Sequence, residues 1–253
     1  LVVGAWTGDG SNNSRSNSGE VYLYTFSDNA FSGGSLAGMI GHGYTGGKNI
    51  NQTLDTDDRF GYSVSLDGTR LAVGAYYGDG LDNRQSSSGE VRLYTFTDSV
   101  FSGGELAATI GEGYTGGKNF NQDLDGSDVF SSVSLDGNRL VVGARWANGH
   151  NNSYANSGDI YLFTFSDSAF SNPTLAGMIG VGYTGGKNIS LTGQFTNTYP
   201  NNGVGVSLDG NTLVTGCFHC EGEHDKGGSG QAFVFTFTDS VFSGGELDAI
   251  IGG

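Results

Sequence analysis

Apolar and polar positions alternate along much of this chain with a period of two. From Glu20 to Phe26, Val21, Leu23 and Thr25 fall on one face and Tyr22, Tyr24 and Phe26 on the other, as side chains do along a strand. Both faces are bulky, so a sheet made of such strands must be covered on both sides. The stretch from Gly61 to Gly68 also alternates, and its Asp67-Gly68 end runs straight into the apolar run of residues 70–75. Two strands joined through Asp-Gly predict a tight hairpin. A shorter strand is expected over the segment that starts at Glu105. Long Leu/Ala/Glu/Lys stretches are missing, so almost no helix is expected.

The pattern recurs at a step of about seventy residues. LVVGA at Leu1 returns as LAVGA at Leu71, LVVGA at Leu140 and LVTGC at Leu213, and YTGGKN recurs at Tyr44, Tyr114 and Tyr183. SGEVYLYTF from Ser18 returns from Ser88, Ser157 and Ser229 in related form, as does FSGG at Phe31, Phe101 and Phe242, with FSNP at Phe170. A fixed period of this length is the mark of a repeat architecture. The expectation is an all-β chain of four tandem repeats, each a four-stranded antiparallel blade of propeller type, in a closed or open array. The boundaries fall at 1–59, which lacks the first strand, 60–129, 130–201 and 202–253, which ends after its last strand, all within one continuous repeat domain. Face-to-face stacking of blades would cover both faces of each sheet and let several repeats share one core. The Gly-Ala pairs closing the second strand, Gly74-Ala75 and Gly143-Ala144, suit a place where backbones crowd together.

A Phe-Gly pair opening the first strand (Phe60-Gly61) and a Gly-Ala pair closing the second (Gly74-Ala75) resemble the FG-GAP repeat, the blade of integrin alpha-subunit propellers and of some fungal and bacterial lectins. The longer motif set is similar to repeats of large bacterial surface proteins of adhesin type. The third repeat reads Phe130-Ser131 and the fourth Asn202-Gly203, and no Pro follows the Gly-Ala pairs. The family's D-x-D-x-D-G calcium loop between the first two strands is replaced here by the tight SLDG turn. The resemblance implies an extracellular or cell-surface module that binds rather than catalyses.

Composition changes the picture in two ways. There are 46 Gly and two Pro, which fits short strands joined by Gly-rich turns. A formal net charge of −15 with 11 Lys and Arg argues against nucleic acid or an anionic membrane surface as a partner. No apolar run approaches the roughly 18 residues of a membrane helix, so no membrane insertion is expected.

Candidate chemistry sits in the loops. Between the second and third strands, Asp9 and Asn12, and Asp79 and Asp82, offer oxygens to a hard cation such as Ca2+; plain turns use the same residues. The connections between repeats bring together Asp55, Asp57 and Asp58, and again Asp123, Asp125 and Asp128, whose mutual repulsion calcium would relieve; a solvated acidic turn is the alternative. Loop aromatics Trp6, Tyr76, Tyr77, Trp146 and Tyr154, flanked by Asn and Asp, are candidates for stacking on sugar faces or for padding the blade rim. Cys217 and Cys220 stand near His219 and His224, as a disulfide, two thiols or half a zinc site. Lys48, Lys118 and Lys187 of the YTGGKN loops are expected to hold loop carbonyls or acidic neighbours in the adjoining blade. The G-x-x-x-x-G-K-[ST] spacing of a phosphate-binding loop is not there.

Nearly every polar feature recurs, whereas catalytic groups are normally unique, and His42, His150, His219 and His224 occupy unrelated places. The sequence thus points to a non-enzymatic module for adhesion or binding, with a glycan or surface protein as partner and calcium as cofactor. The alternative is a structural repeat that self-associates into a surface fibre.

Overall fold

The computed structural model describes residues 1–124, 126, 128–194, 200–221 and 228–252. It is all-β, with three-residue 3-10 turns as the helical content among the described residues. None of its helices is long and apolar enough to cross a membrane. Four sheets follow one another along the chain. The first holds β1 (Val2–Ala5), β2 (Glu20–Thr25), β3 (Ser35–Gly41) and β4 (Ile50–Asn51). The second runs β5 (Phe60–Asp67), β6 (Arg70–Ala75), β7 (Glu90–Thr95), β8 (Glu105–Gly111) and β9 (Phe120–Asn121). The third runs β10 (Phe130–Asp136), β11 (Arg139–Ala144), β12 (Asp159–Thr164), β13 (Thr174–Gly180) and β14 (Ile189–Ser190). The fourth is β15 (Asn202–Asp209), β16 (Thr212–Cys217), β17 (Gln231–Thr236) and β18 (Glu246–Ile251). Strand order in every sheet is sequence order, the meander of a propeller blade. The chain divides into two compact units, residues 1–123 and 124–253, each made of two sheets.

The Asp-Gly hairpin forms as its residues dictate. Asp67 pairs with Arg70 across the turn, Gly68 takes a φ of 59°, and Arg70 reaches back to the Asp67 carboxylate. Asp136 and Arg139 repeat this ion pair. One element was not expected: a two-residue strand that pairs in parallel with the fourth strand of the repeat, as β4 does with β3. The YTGGKN loop creates it. Gly46 and Gly47 take φ of 78° and 58°, turning the chain back, and the Asn49 side chain accepts the Met39 N–H in place of a strand neighbour. Asn119 and Asn188 do the same for Thr109 and Met178.

Within each unit the sheets stack through glycine. A Cβ placed on Gly4 would lie 1.9 Å from the Gly61 carbonyl oxygen, and one on Gly143 would lie 2.2 Å from that of Gly203. Gly19 and Gly158 are similarly pressed by the backbones of Phe60 and Asn202. Only hydrogen fits, which lets the first strand of one blade lie on the second and third strands of the blade before it. Gly61 and Gly203 also need positive φ, 84° and 82°, at a β-bulge. Ser131 escapes this demand: β10 is one residue shorter and its bulge smaller, so no left-handed residue is needed there.

Val21, Leu23, Phe60, Leu71 and Tyr94 form the core of the first unit, and Val141, Ile160, Leu213, Phe233 and Phe235 that of the second. A lysine ties each stack at its rim. Lys48 donates to the Val100 carbonyl and Lys187 to that of Val241.

Candidate functional site

The loops between the second and third strands are built as turns. Asp9 Oδ1 accepts the Asn17 N–H, Asp79 Oδ1 the Ser87 N–H, and Asn148 Oδ1 the Asn156 N–H. An amide replaces the carboxylate in the third copy without changing the turn, so the position needs an acceptor and not a charge. Asn12, Asp82 and Asn151 hold left-handed φ of 59°, 56° and 56°, which Asn and Asp tolerate best among residues with a Cβ.

The connection from the first sheet to the second disperses its acids. Asp55 accepts from Arg15 at 3.2 Å and from Asn83 at 3.0 Å, while Asp57 accepts from Asn17. Asp58 turns inward, where its Oδ2 takes the Asp55 N–H at 2.7 Å. Burial, with Glu90 nearby, pushes the Asp58 carboxyl up to about 7. Of the second acidic group, Asp123 is exposed at the end of the first unit, Asp128 is buried in the second, and Asp125 lies outside the described residues. Among the described residues no three His, Cys, Asp or Glu side chains gather as a metal site. Asp9, Asp55, Asp57, Asp58 and Asp79 each accept hydrogen bonds from the protein.

A recurrent buried acid organises each of the first three blades. Glu20 Oε2 accepts the Tyr44 hydroxyl at 2.5 Å, Glu90 Oε2 that of Tyr114 at 2.6 Å, and Asp159 Oδ2 that of Tyr183 at 2.8 Å. The tyrosine of YTGGKN is thus explained by an acid 24 residues earlier, a separation that is constant in all three copies and visible in the sequence. Glu90 is further paired with Arg92 at 2.7 Å, and Arg92 also donates to Gln52 at 2.9 Å. Burial pulls the Arg92 guanidinium down, but the Glu90 carboxylate together with Tyr94 and Tyr114 outweighs this and holds it above its ordinary value. Burial, with Asp128 nearby, raises Asp159 to about 7. Tyr22, hydrogen-bonded to Glu20, is pushed up to about 12.

Over the Glu90–Arg92 pair lies an open cleft of about 760 Å³ in the first unit. Its lining includes Gln52, Asp55, Asp82, Asn83, Leu106 and Thr109. The walls come from the inter-blade connection and the loop after β6, and the floor from β7 and β8. It presents amides, carboxylates and a hydroxyl beside the exposed side chain of Leu106.

The aromatic candidates separate. Tyr76 is not an exposed loop residue but is 1% exposed, stacked on Tyr62 at 4.3 Å. Tyr77 leans on Tyr76, and Arg59 lies 4.5 Å from the Tyr77 ring and 5.0 Å from that of Trp6, tying the two blades by cation–π contact. Trp146 holds Arg145 at 4.6 Å. Trp6 and Tyr154 keep 40% and 41% exposure, and none of the five lines the cleft. In the second unit Cys217 and Cys220 are joined as a disulfide, which leaves no thiolate for zinc; His224 lies outside the described residues.

The family model for the FG-GAP repeat matches residues 54–94 and 120–163. Each match spans an inter-repeat connection and the first three strands of the blade after it, the second including the close-packed Gly143. No curated protein sequence matches the chain. Among solved structures it is similar to the crystal structure of the computationally designed Ika8 protein, at 10% identity and a TM-score of 0.38, over 92% of this chain and 42% of that one.

Proposed function

We propose that the chain is a non-enzymatic extracellular binding module which takes a polar ligand of glycan type, free or on a surface protein, in the cleft of its first unit. The cleft carries this reading. Its volume suits a small oligosaccharide, and amide, carboxylate and hydroxyl groups beside an apolar side chain match the amphipathic surface of a sugar. FG-GAP repeats and a disulfide fit an oxidising, extracellular setting.

A hydrolase is disfavoured by how the cleft's acids are used. Glu90 has one oxygen on Arg92 and the other on Tyr114, and Asp58 takes a backbone N–H. The same tyrosine-bound acid recurs at Glu20 and Asp159, as a structural device does. The test is a glycan array probed with the purified chain and with Asp82→Ala/Thr109→Ala, in calcium and in chelator. Defined glycans bound by the parent, lost in the variant at unchanged melting temperature, support the reading. An array with no binders, or hits that the variant retains, overturns it.

A further inference from the structure

We infer that the cleft of the first unit selects an amino sugar whose nitrogen is unsubstituted and protonated. This rests on the glycan reading above and narrows it. Donors and acceptors in the lining are out of balance. Arg92 gives its N–H groups to Glu90 and Gln52, the Gln52 amide donates to the Asn51 carbonyl, the Asn83 amide to Asp55 and the Tyr114 hydroxyl to Glu90. Among the described residues of the lining Arg92 is the one cation, and its charge is spent inside the protein. Acceptors are left over. Asp58 is 6% exposed and lines the cleft; its Oδ2 takes the Asp55 N–H, but no donor among the described residues reaches its Oδ1. A carboxyl so buried with one bare oxygen is costly until a donor or a proton meets it. Asp79 spends Oδ1 alone, on the Ser87 N–H, and the exposed Asp82 carboxylate meets no donor among the described residues.

Three carboxyl groups with unspent oxygens around one open space favour a ligand that brings charged donors and disfavour one that brings carboxylate or sulfate. An ammonium supplies three N–H donors and no acceptor. An N-acetyl group on the same nitrogen removes the charge and leaves a single N–H, so acetylated sugars lose this advantage. A lysine side chain carries the same ammonium without the ring, and so offers fewer donors to the remaining oxygens and no C–H face to the exposed Leu106 side chain.

The probes are the β-1,4-linked trisaccharide of glucosamine, the same trisaccharide N-acetylated, and trilysine. Each is titrated into the intact chain by calorimetry at about pH 6, where sugar amines are charged. The glucosamine trisaccharide should bind roughly tenfold or more tighter than either of the others. Asp58→Asn and Asp82→Asn should each weaken it by a similar factor, and the second of these changes an exposed side chain on which folding does not depend. Glu246→Gln, at an exposed acid of the second unit, should leave binding unchanged. Equal or tighter binding of the acetylated form overturns the inference and leaves the glycan reading standing. Trilysine binding as tightly as the glucosamine trisaccharide overturns it too, as does a loss in Glu246→Gln as large as in Asp82→Asn, because overall negative charge would then be enough. Failure of all three probes also overturns it, and a blank glycan array alongside that failure removes the wider reading as well.

Discussion

At the scale of single residues, the glycine of the second strand is a matter of space. Gly143 is pressed by the Gly203 carbonyl and the Ser132 hydroxyl, at 2.2 and 2.5 Å from a would-be Cβ. The equivalent Gly216 in the fourth sheet meets only the Gly205 nitrogen, at 3.9 Å. Gly143→Ala should destabilise the second unit by about 2–4 kcal/mol, and Gly216→Ala should stay within about 0.5 kcal/mol of the parent. Urea denaturation followed for both variants checks this; equal effects would mean that the close approach is not what the glycine serves. Phenylalanine shows the opposite economy. Phe31, Phe101, Phe170 and Phe242 all hold φ near 60°, unusual for a residue with a Cβ. Each leans on a second phenylalanine at 5.0–5.1 Å, and in the same turns Asp28, Asp98, Asp167 and Asp239 accept two backbone N–H groups.

At the scale of elements, the strands, the Asp-Gly hairpin and the need for cover on both faces were legible because they follow from period-two alternation and local turn chemistry. The short parallel strand was not, because it depends on one Asn side chain standing in for a strand partner ten residues away. Nor was the fate of the acids: Asp55 finds Arg15 forty residues back and Asn83 twenty-eight ahead, contacts that only blade stacking creates. The burial of Tyr76 was hidden for a related reason, since adjacency in sequence does not say that it turns onto Tyr62. The tyrosine-acid pair makes its own prediction. Tyr114→Phe leaves Glu90 Oε2 without its donor and should cost about 1–2 kcal/mol in urea denaturation. A neutral result would show that the hydroxyl is dispensable to the blade.

At the scale of the whole chain, two buried carboxyls set an unusual pH response. Asp58 and Asp159 are raised to about 7, each chiefly by burial. The unfolded chain gives them an ordinary value near ~4, so between about pH 4 and 7 the folded state holds more protons. Their contribution to stability therefore declines as pH rises through that window and is least favourable above it. Melting temperature should fall less between about pH 5 and 7.5 in Asp58→Asn/Asp159→Asn than in the parent; parallel curves would mean that neither group carries the shift. Calcium added to the metal-stripped chain should leave the melting temperature unmoved, since the loop acids already serve the protein's own donors. A stabilisation that saturates at one ion per repeat would show that those bonds give way to metal.

The most direct test of the account is chemical-shift mapping of the isotopically labelled chain against its strongest array glycan, in the presence of a chelator. The account predicts perturbations concentrated at Gln52, Asp82, Asn83 and Thr109 around the cleft, with the second unit silent. Perturbations centred instead on Trp6, Trp146 or Tyr154, or none without calcium, would contradict it.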